Sequence, residues 1–112
     1  MDDPAACVWV RVMKATDLRD GAPTAVFPKG LPVLLIRGGD GEVRAFANRC
    51  PHMGCPLSRG SLDGHILRCP CHDWRFDTGT GAFLDAPEIR LPRYELKTSD
   101  GDIHINITKA AA

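Results

Sequence analysis

The chain has 112 residues, with fourteen Lys and Arg balanced by fourteen Asp and Glu, for a formal net charge of zero. That length suits one hydrophobic core, predicting a single domain over residues 1–112, and is short for an enzyme with separate substrate and cofactor modules. With no basic block or Lys/Arg stripe, nucleic acid is not expected as a partner. No stretch approaches the about 18 apolar residues of a membrane span, and the acidic start Met1-Asp2-Asp3-Pro4 lacks a basic leader segment, so a cytoplasmic protein without a membrane anchor is expected.

In chain order, Val8, Val10 and Val12 alternate with Trp9, Arg11 and Met13, the pattern of a half-buried strand. Cys7, just before it, suits the role of a small buried hydrophobe. Thr16-Asp17-Leu18 predicts one helical turn. The apolar run Val33-Leu34-Leu35-Ile36 predicts a buried strand, and Asp40-Gly41 a hairpin turn into a strand from Glu42 to Ala47. Arg49 to Leu57 and Arg68 to Trp74 then form two loops, separated by Gly60, the Asp63-Gly64 turn and a short strand His65-Ile66-Leu67. After Gly79 and Gly81, a Pro-bearing segment from Ala86 to Pro92 returns the chain to its base. The last hairpin runs from Tyr94 to Lys97 and turns at Asp100-Gly101. Beyond it, Ile103, Ile105 and Ile107 alternate with His104, Asn106 and Thr108. His104 and His65 are thereby expected to face solvent, and the tail Ala110-Ala111-Ala112 to fray. Short strands joined by polar turns make this an all-β chain.

The two loops carry the chemistry. The first reads Cys50-Pro51-His52-Met53-Gly54-Cys55; sixteen intervening residues separate His52 from the second, Cys69-Pro70-Cys71-His72. Each offers a thiolate and an imidazole, Cys50 with His52 and Cys69 with His72. A set of two sulfurs and two nitrogens suits zinc as well as iron-sulfur clusters. Zinc fingers, however, group their cysteines in one knuckle and their histidines in another, whereas each knuckle here mixes the two. A mixed knuckle suits a two-iron cluster, because each loop can reach one iron with its Cys and the other with its His.

The pattern C-x-H, sixteen residues, C-x-x-H resembles the Rieske family. The resemblance implies a 2Fe-2S cluster with Cys50 and Cys69 on one iron and His52 and His72 on the other. It also implies a fold of antiparallel β sandwich or base carrying a two-loop cluster-binding lobe, here about residues 48–76. Two ferric irons, two sulfides, two thiolates and two neutral imidazoles sum to roughly zero, about two units less negative than an all-Cys cluster, which makes reduction easier. Gly54 is expected to let its loop fold tightly, since Gly adopts positive φ without steric cost.

Cys55 and Cys71 resemble the disulfide pair of the Rieske proteins of respiratory and photosynthetic complexes. Asp73-Trp74-Arg75-Phe76-Asp77, followed by Thr78-Gly79, is instead similar to the C-x-x-H-G-W-x-F-D…T-G stretch of Rieske ferredoxins and ring-hydroxylating oxygenases. Asp73 stands where most such relatives have Gly. Trp74 and Phe76 stand where high-potential members place a Ser and a Tyr, whose hydroxyls favour the reduced cluster. Without them the expected potential lies in the lower half of the Rieske range of about −150 to +300 mV.

The resemblance implies a monomeric one-electron carrier between a flavin reductase and a terminal oxygenase. Met53, Pro56, Leu57 and Pro70 would form a small apolar contact surface rimmed by Arg49, Arg59 and Arg75, with Met53, Gly54, Pro70, Asp73, Trp74 and Phe76 surrounding the cluster. No general base, nucleophile or substrate pocket is visible, so the chain alone is not expected to turn over a substrate. The alternative roles are a small subunit of a larger oxidoreductase, for instance one acting on an inorganic ion, or a zinc-stapled or redox-sensing module.

Overall fold

The computed structural model describes residues 8–19, 21–37, 42–50, 54–71 and 73–107. All strand pairs in them are antiparallel, in three sheets. The first sheet joins β1 (Trp9–Lys14), β11 (Leu96–Ser99) and β12 (Asp102–Asn106) with β12 in the centre. The second holds β2 (Thr24–Val26), β3 (Val33–Arg37), β4 (Val43–Ala47) and β10 (Arg93–Tyr94) in the order β10-β4-β3-β2. The third follows chain order: β5 (Ser61–Asp63), β6 (Ile66–Arg68), β7 (Arg75–Asp77), β8 (Ala82–Phe83) and β9 (Ala86–Arg90). The expected all-β antiparallel architecture is therefore present.

Strand β3 separates two cores. Leu34 and Ile36 pack with Phe46, Leu57, Leu67 and Phe76, while Val33 and Leu35 pack with Leu18, Ala45, Ile103 and Ile105. Its four apolar residues are fully buried, and burial on both faces is why they form a continuous run rather than an alternation. In β12, the central strand of its sheet, Ile103 and Ile105 point into the base core, while Asn106 is also buried and donates its amide to the Glu95 carboxylate at 3.0 Å. The turn before β12 has positive φ at both Asp100 and Gly101, as a tight hairpin requires.

Several expectations need correction. The valine alternation of β1 is broken by a register irregularity between Arg11 and Met13. The extra residue resets the period, so that Val12 and Met13 both reach the base core; Val8, before the first paired residue of β1, is exposed. Ser61–Asp63 is a strand, pairing with β6, and His65 lies in the turn between them, exposed as expected. His104 is part-buried, with its Nδ1 shielded and unpartnered, because Arg11 and Lys97 flank it on the neighbouring strands. The helical turn spans Ala15–Asp17, one residue earlier than expected, and two further 3-10 turns lie at Pro28–Gly30 and Leu57–Arg59. Cys7, Asp40-Gly41, Thr108 and the alanine tail lie outside the described residues, although β3 and β4 pair from Val33↔Ala47 to Arg37↔Val43 as a hairpin would. No helix among the described residues is long and apolar enough to cross a membrane.

Candidate metal centre

Two loops at one end of the third sheet hold the cysteines, and their backbones are built alike. The Cys50 N–H donates to the Cys55 carbonyl at 2.9 Å, and the Gly54 N–H donates back to the Cys50 carbonyl at 2.7 Å. In the second loop the Cys69 N–H donates to the Trp74 carbonyl at 2.8 Å, and the Asp73 N–H to the Cys69 carbonyl at 3.1 Å. The spacing is the same in both: cysteine to its fifth successor, and fourth successor back to the cysteine. That fourth position has positive φ each time, 75° at Gly54 and 59° at Asp73. The left-handed conformation accounts for a Gly there, and Asp is among the few other residues that adopt it readily. Asp73 is thus the structural counterpart of Gly54, and its carboxylate pairs with Arg68 at 3.4 Å.

The loops are closed differently. Asn48, buried at the end of β4, accepts the Ser58 N–H at 2.8 Å and donates from its amide to the Ser58 hydroxyl at 2.9 Å, clamping the first loop at its base. The second loop is closed by the β6–β7 ladder, where Arg68 pairs with Arg75. Where the chain leaves the first loop, Gly60 lies so close to the Arg68 carbonyl that a Cβ would run into it. The hairpin beneath is pinned by buried Thr78, whose N–H and hydroxyl both donate to the His65 carbonyl, at 2.8 and 3.0 Å.

The four described cysteines fall into two pairs. Cys55 and Cys71 form a disulfide across sixteen positions, tying loop to loop. Cys50 and Cys69 remain thiols, 1% and 2% exposed, in one packed cluster with Leu34, Leu57, Leu67 and Phe76. Thiolates are soft donors suited to iron-sulfur clusters or zinc, so two buried thiols on matching loops fit such a group. Pro51, His52, Met53 and His72 lie outside the described residues. Of the other expected neighbours, Gly54, Pro70 and Asp73 are exposed, Trp74 is half-buried and Phe76 fully buried.

Trp74 stacks face to face on Phe83, centroids 4.0 Å apart, and Phe76 lies 5.6 Å from Phe83 and 6.4 Å from Trp74. These rings join the same core as the two thiols, and Phe76 and Phe83 offer no hydroxyl. Phe83, Asn48 and Ser58 were not identified from sequence. Phe83 sits in a two-residue strand, too short for a periodic signal. Beside the second loop an open groove of about 350 Å3 is lined by Arg59, Arg68, Cys71 and Asp73 among others.

The model of the Rieske [2Fe-2S] domain matches residues 8–95. Ferredoxin CarAc of Metapseudomonas resinovorans is 30% identical over 100 residues, covering 88% of this chain and 92% of that protein. Among solved structures, one from a complex of reduced oxygenase and oxidized ferredoxin in carbazole 1,9a-dioxygenase superposes with a TM-score of 0.80 at 30% identity, covering 91% of this chain and 95% of that one. A Mycobacterium tuberculosis protein described as an NADH-dependent nitrite reductase small subunit gives a TM-score of 0.77 at 27% identity, covering 88% and 94%. Other curated relatives are much longer: this chain spans 18% to 21% of their length. The disulfide-tied pair of loops, the two buried thiols and the family match agree: the chain belongs to the Rieske family, and its cofactor is a Rieske 2Fe-2S cluster.

Proposed function

We propose that this chain is a one-electron carrier in which Cys50 and Cys69 hold one iron of the cluster and His52 and His72 the other. The observation that carries this is the pair of buried thiols presented by two loops of identical hydrogen-bond frame. When bound, the cluster supplies a one-electron couple whose mixed ligand set makes it easier to reduce than an all-Cys centre. The chain's own residues position and shield it. The Cys50 and Cys69 carbonyls, each accepting an N–H from four residues on, fix the loop curvature, and Leu57, Leu67 and Phe76 exclude water from the sulfur side. On the outer side Gly54, Pro56, Pro70 and Cys71 are exposed, leaving the loop tips open to a docking protein. Transient redox contacts are small, below about 1,200 Å2, which suits such a tip.

In this role the chain is a monomeric, cytoplasmic single domain, its lobe spanning about 48–76, that passes electrons from a flavin reductase to a terminal oxygenase. Similarity over nearly the full length of a ferredoxin supports this. A second reading, a small subunit of an oxidoreductase acting on an inorganic ion, is favoured by the likeness to the nitrite reductase small subunit.

The test is low-temperature electron paramagnetic resonance of the dithionite-reduced protein with iron, sulfide and zinc analysis. A rhombic signal averaging below the free-electron g value, with two irons per chain, is expected; a silent sample holding one zinc would overturn the assignment. His52→Cys and His72→Cys should each lower the potential by adding negative charge. Native mass of the protein isolated from its source separates a monomeric carrier from a complex subunit, and cell fractionation tests the compartment.

A further inference from the structure

The zero net charge hides an uneven distribution. Residues 48–76 contain four arginines, no lysine and two acids, a net of +2, so the remainder of the chain carries −2. Three of the arginines gather at the loop-bearing end of the third sheet. Arg68 and Arg75 are register partners on β6 and β7, pointing to the same outer face, and Arg59 joins Arg68 along the groove beside Cys71. Arg49, Arg59 and Arg75 are exposed, and the Arg68 side chain is 48% exposed. Like charges directly opposite on neighbouring strands oppose folding, so the fold gains nothing from this pair.

The two acids do not cancel the field at the loops. Asp73 offsets only Arg68, with which it pairs, so the excess positive charge of the face rests on Arg59 and Arg75. Asp63 lies at the far end of the hairpin, opposite Ile66 and next to the Gly64 turn, whereas Arg68 opposes Ser61 at the loop end.

Resting on the carrier role above, we propose that this end of the molecule is an electropositive docking face whose redox partner presents an acidic surface around its electron-accepting site. The arginines are spread over an open face rather than enclosed in a buried pocket, which suits a protein surface better than a small anion. Complementary charge of this kind acts mainly on the rate of encounter, by about 10- to 1,000-fold at low salt, and is screened over about 10 Å at 0.1 M.

The sign of the face can be read with small one-electron oxidants before any partner is known. The reduced holoprotein is mixed in stopped flow with hexacyanoferrate(III), an anion, or with tris(phenanthroline)cobalt(III), a cation; each takes one electron, leaving the oxidised protein and Fe(II) or Co(II). Added salt is expected to slow the anionic oxidant by about tenfold and to speed the cationic one. Arg59→Glu with Arg75→Glu, which spares the Arg68 to Asp73 pair, should abolish or invert that dependence. The control Arg19→Glu with Lys29→Glu makes the same charge change at exposed positions in other parts of the chain and should leave it in place. Binding of poly-L-glutamate should weaken in the first variant only.

Faster reaction with the cation at low salt, or equal effects of the two double variants, would overturn the proposal. So would displacement of poly-L-glutamate by inorganic phosphate beyond the effect of matched ionic strength, which would assign the face to a small anion. The paramagnetic signal of each sample separates the failures: a wild-type protein without it loses the carrier role itself, while one that keeps it and shows no sign preference loses only the docking face.

Discussion

The Cys50 loop and the Cys69 loop share one hydrogen-bond frame but are held by different means. The first is clamped by a buried amide, Asn48, against Ser58; the second stands on a β ladder and an aromatic stack, with an exposed Arg68 to Asp73 pair at its rim. Even the left-handed residue differs, Gly54 in one and Asp73 in the other. A common backbone geometry is thus reached from dissimilar sequence, and what must match is the presentation of the two thiols. The devices that hold each loop can then differ in strength, which is measurable.

The largest effect is expected where the loops meet. Gly60→Ala places a methyl against the Arg68 backbone carbonyl, an obstacle that cannot rotate away. Overpacking costs about 1–3 kcal/mol and more when backbone must move, so a loss of at least about 3 kcal/mol by denaturant unfolding, with reduced iron content, is expected. Unchanged stability would mean that the two loops are not in contact there. Next comes the covalent tie: Cys55→Ser with Cys71→Ser should cost about 3 kcal/mol by the chain-entropy estimate for a loop of this size.

The two closing devices should then separate. Asn48→Ala leaves the part-buried Ser58 N–H and hydroxyl without their partner and should cost about 1–3 kcal/mol. Arg68→Ala removes a pair exposed on both sides and should cost no more than about 1 kcal/mol. Equal losses would show that the loops are held alike after all.

The smallest effect lies in the base, away from both loops. The Asp102 carboxyl is held below its ordinary range, first by the hydrogen bond from the Arg11 guanidinium at 3.0 Å and further by that group's charge, against a partial opposing cost of desolvation. A depressed folded pKa stabilises the fold at pH above the ordinary carboxylate value, and the contribution disappears as pH falls through the lower folded one. The difference in stability between wild type and Asp102→Asn should therefore be present at neutral pH, begin to shrink below about pH 4 and vanish at lower pH. A difference independent of pH would exclude the ion pair as its source.

Much of this was legible in the residues themselves. The Cys and His spacing named the family, the unbroken Val33-Leu34-Leu35-Ile36 run announced a buried strand, and alternating isoleucines marked β12. These signals are local, because donor spacing and side-chain period are written along one segment. Other features depend on where a distant segment lies. The irregularity in β1 shows only against β12, Phe83 acquires its role by stacking on Trp74, and Gly60 is obligatory because Arg68 passes beside it. The equivalence of Asp73 to Gly54 needed backbone angles, since the two residues share no chemistry. Sequence by itself determined the family, the cofactor and the all-β class, as spacing along a chain encodes what a single loop can reach. Tertiary structure alone decided how the loops are closed and that Arg68 joins Arg59 and Arg75 at the loop end, since those depend on packing between segments that carry no common period.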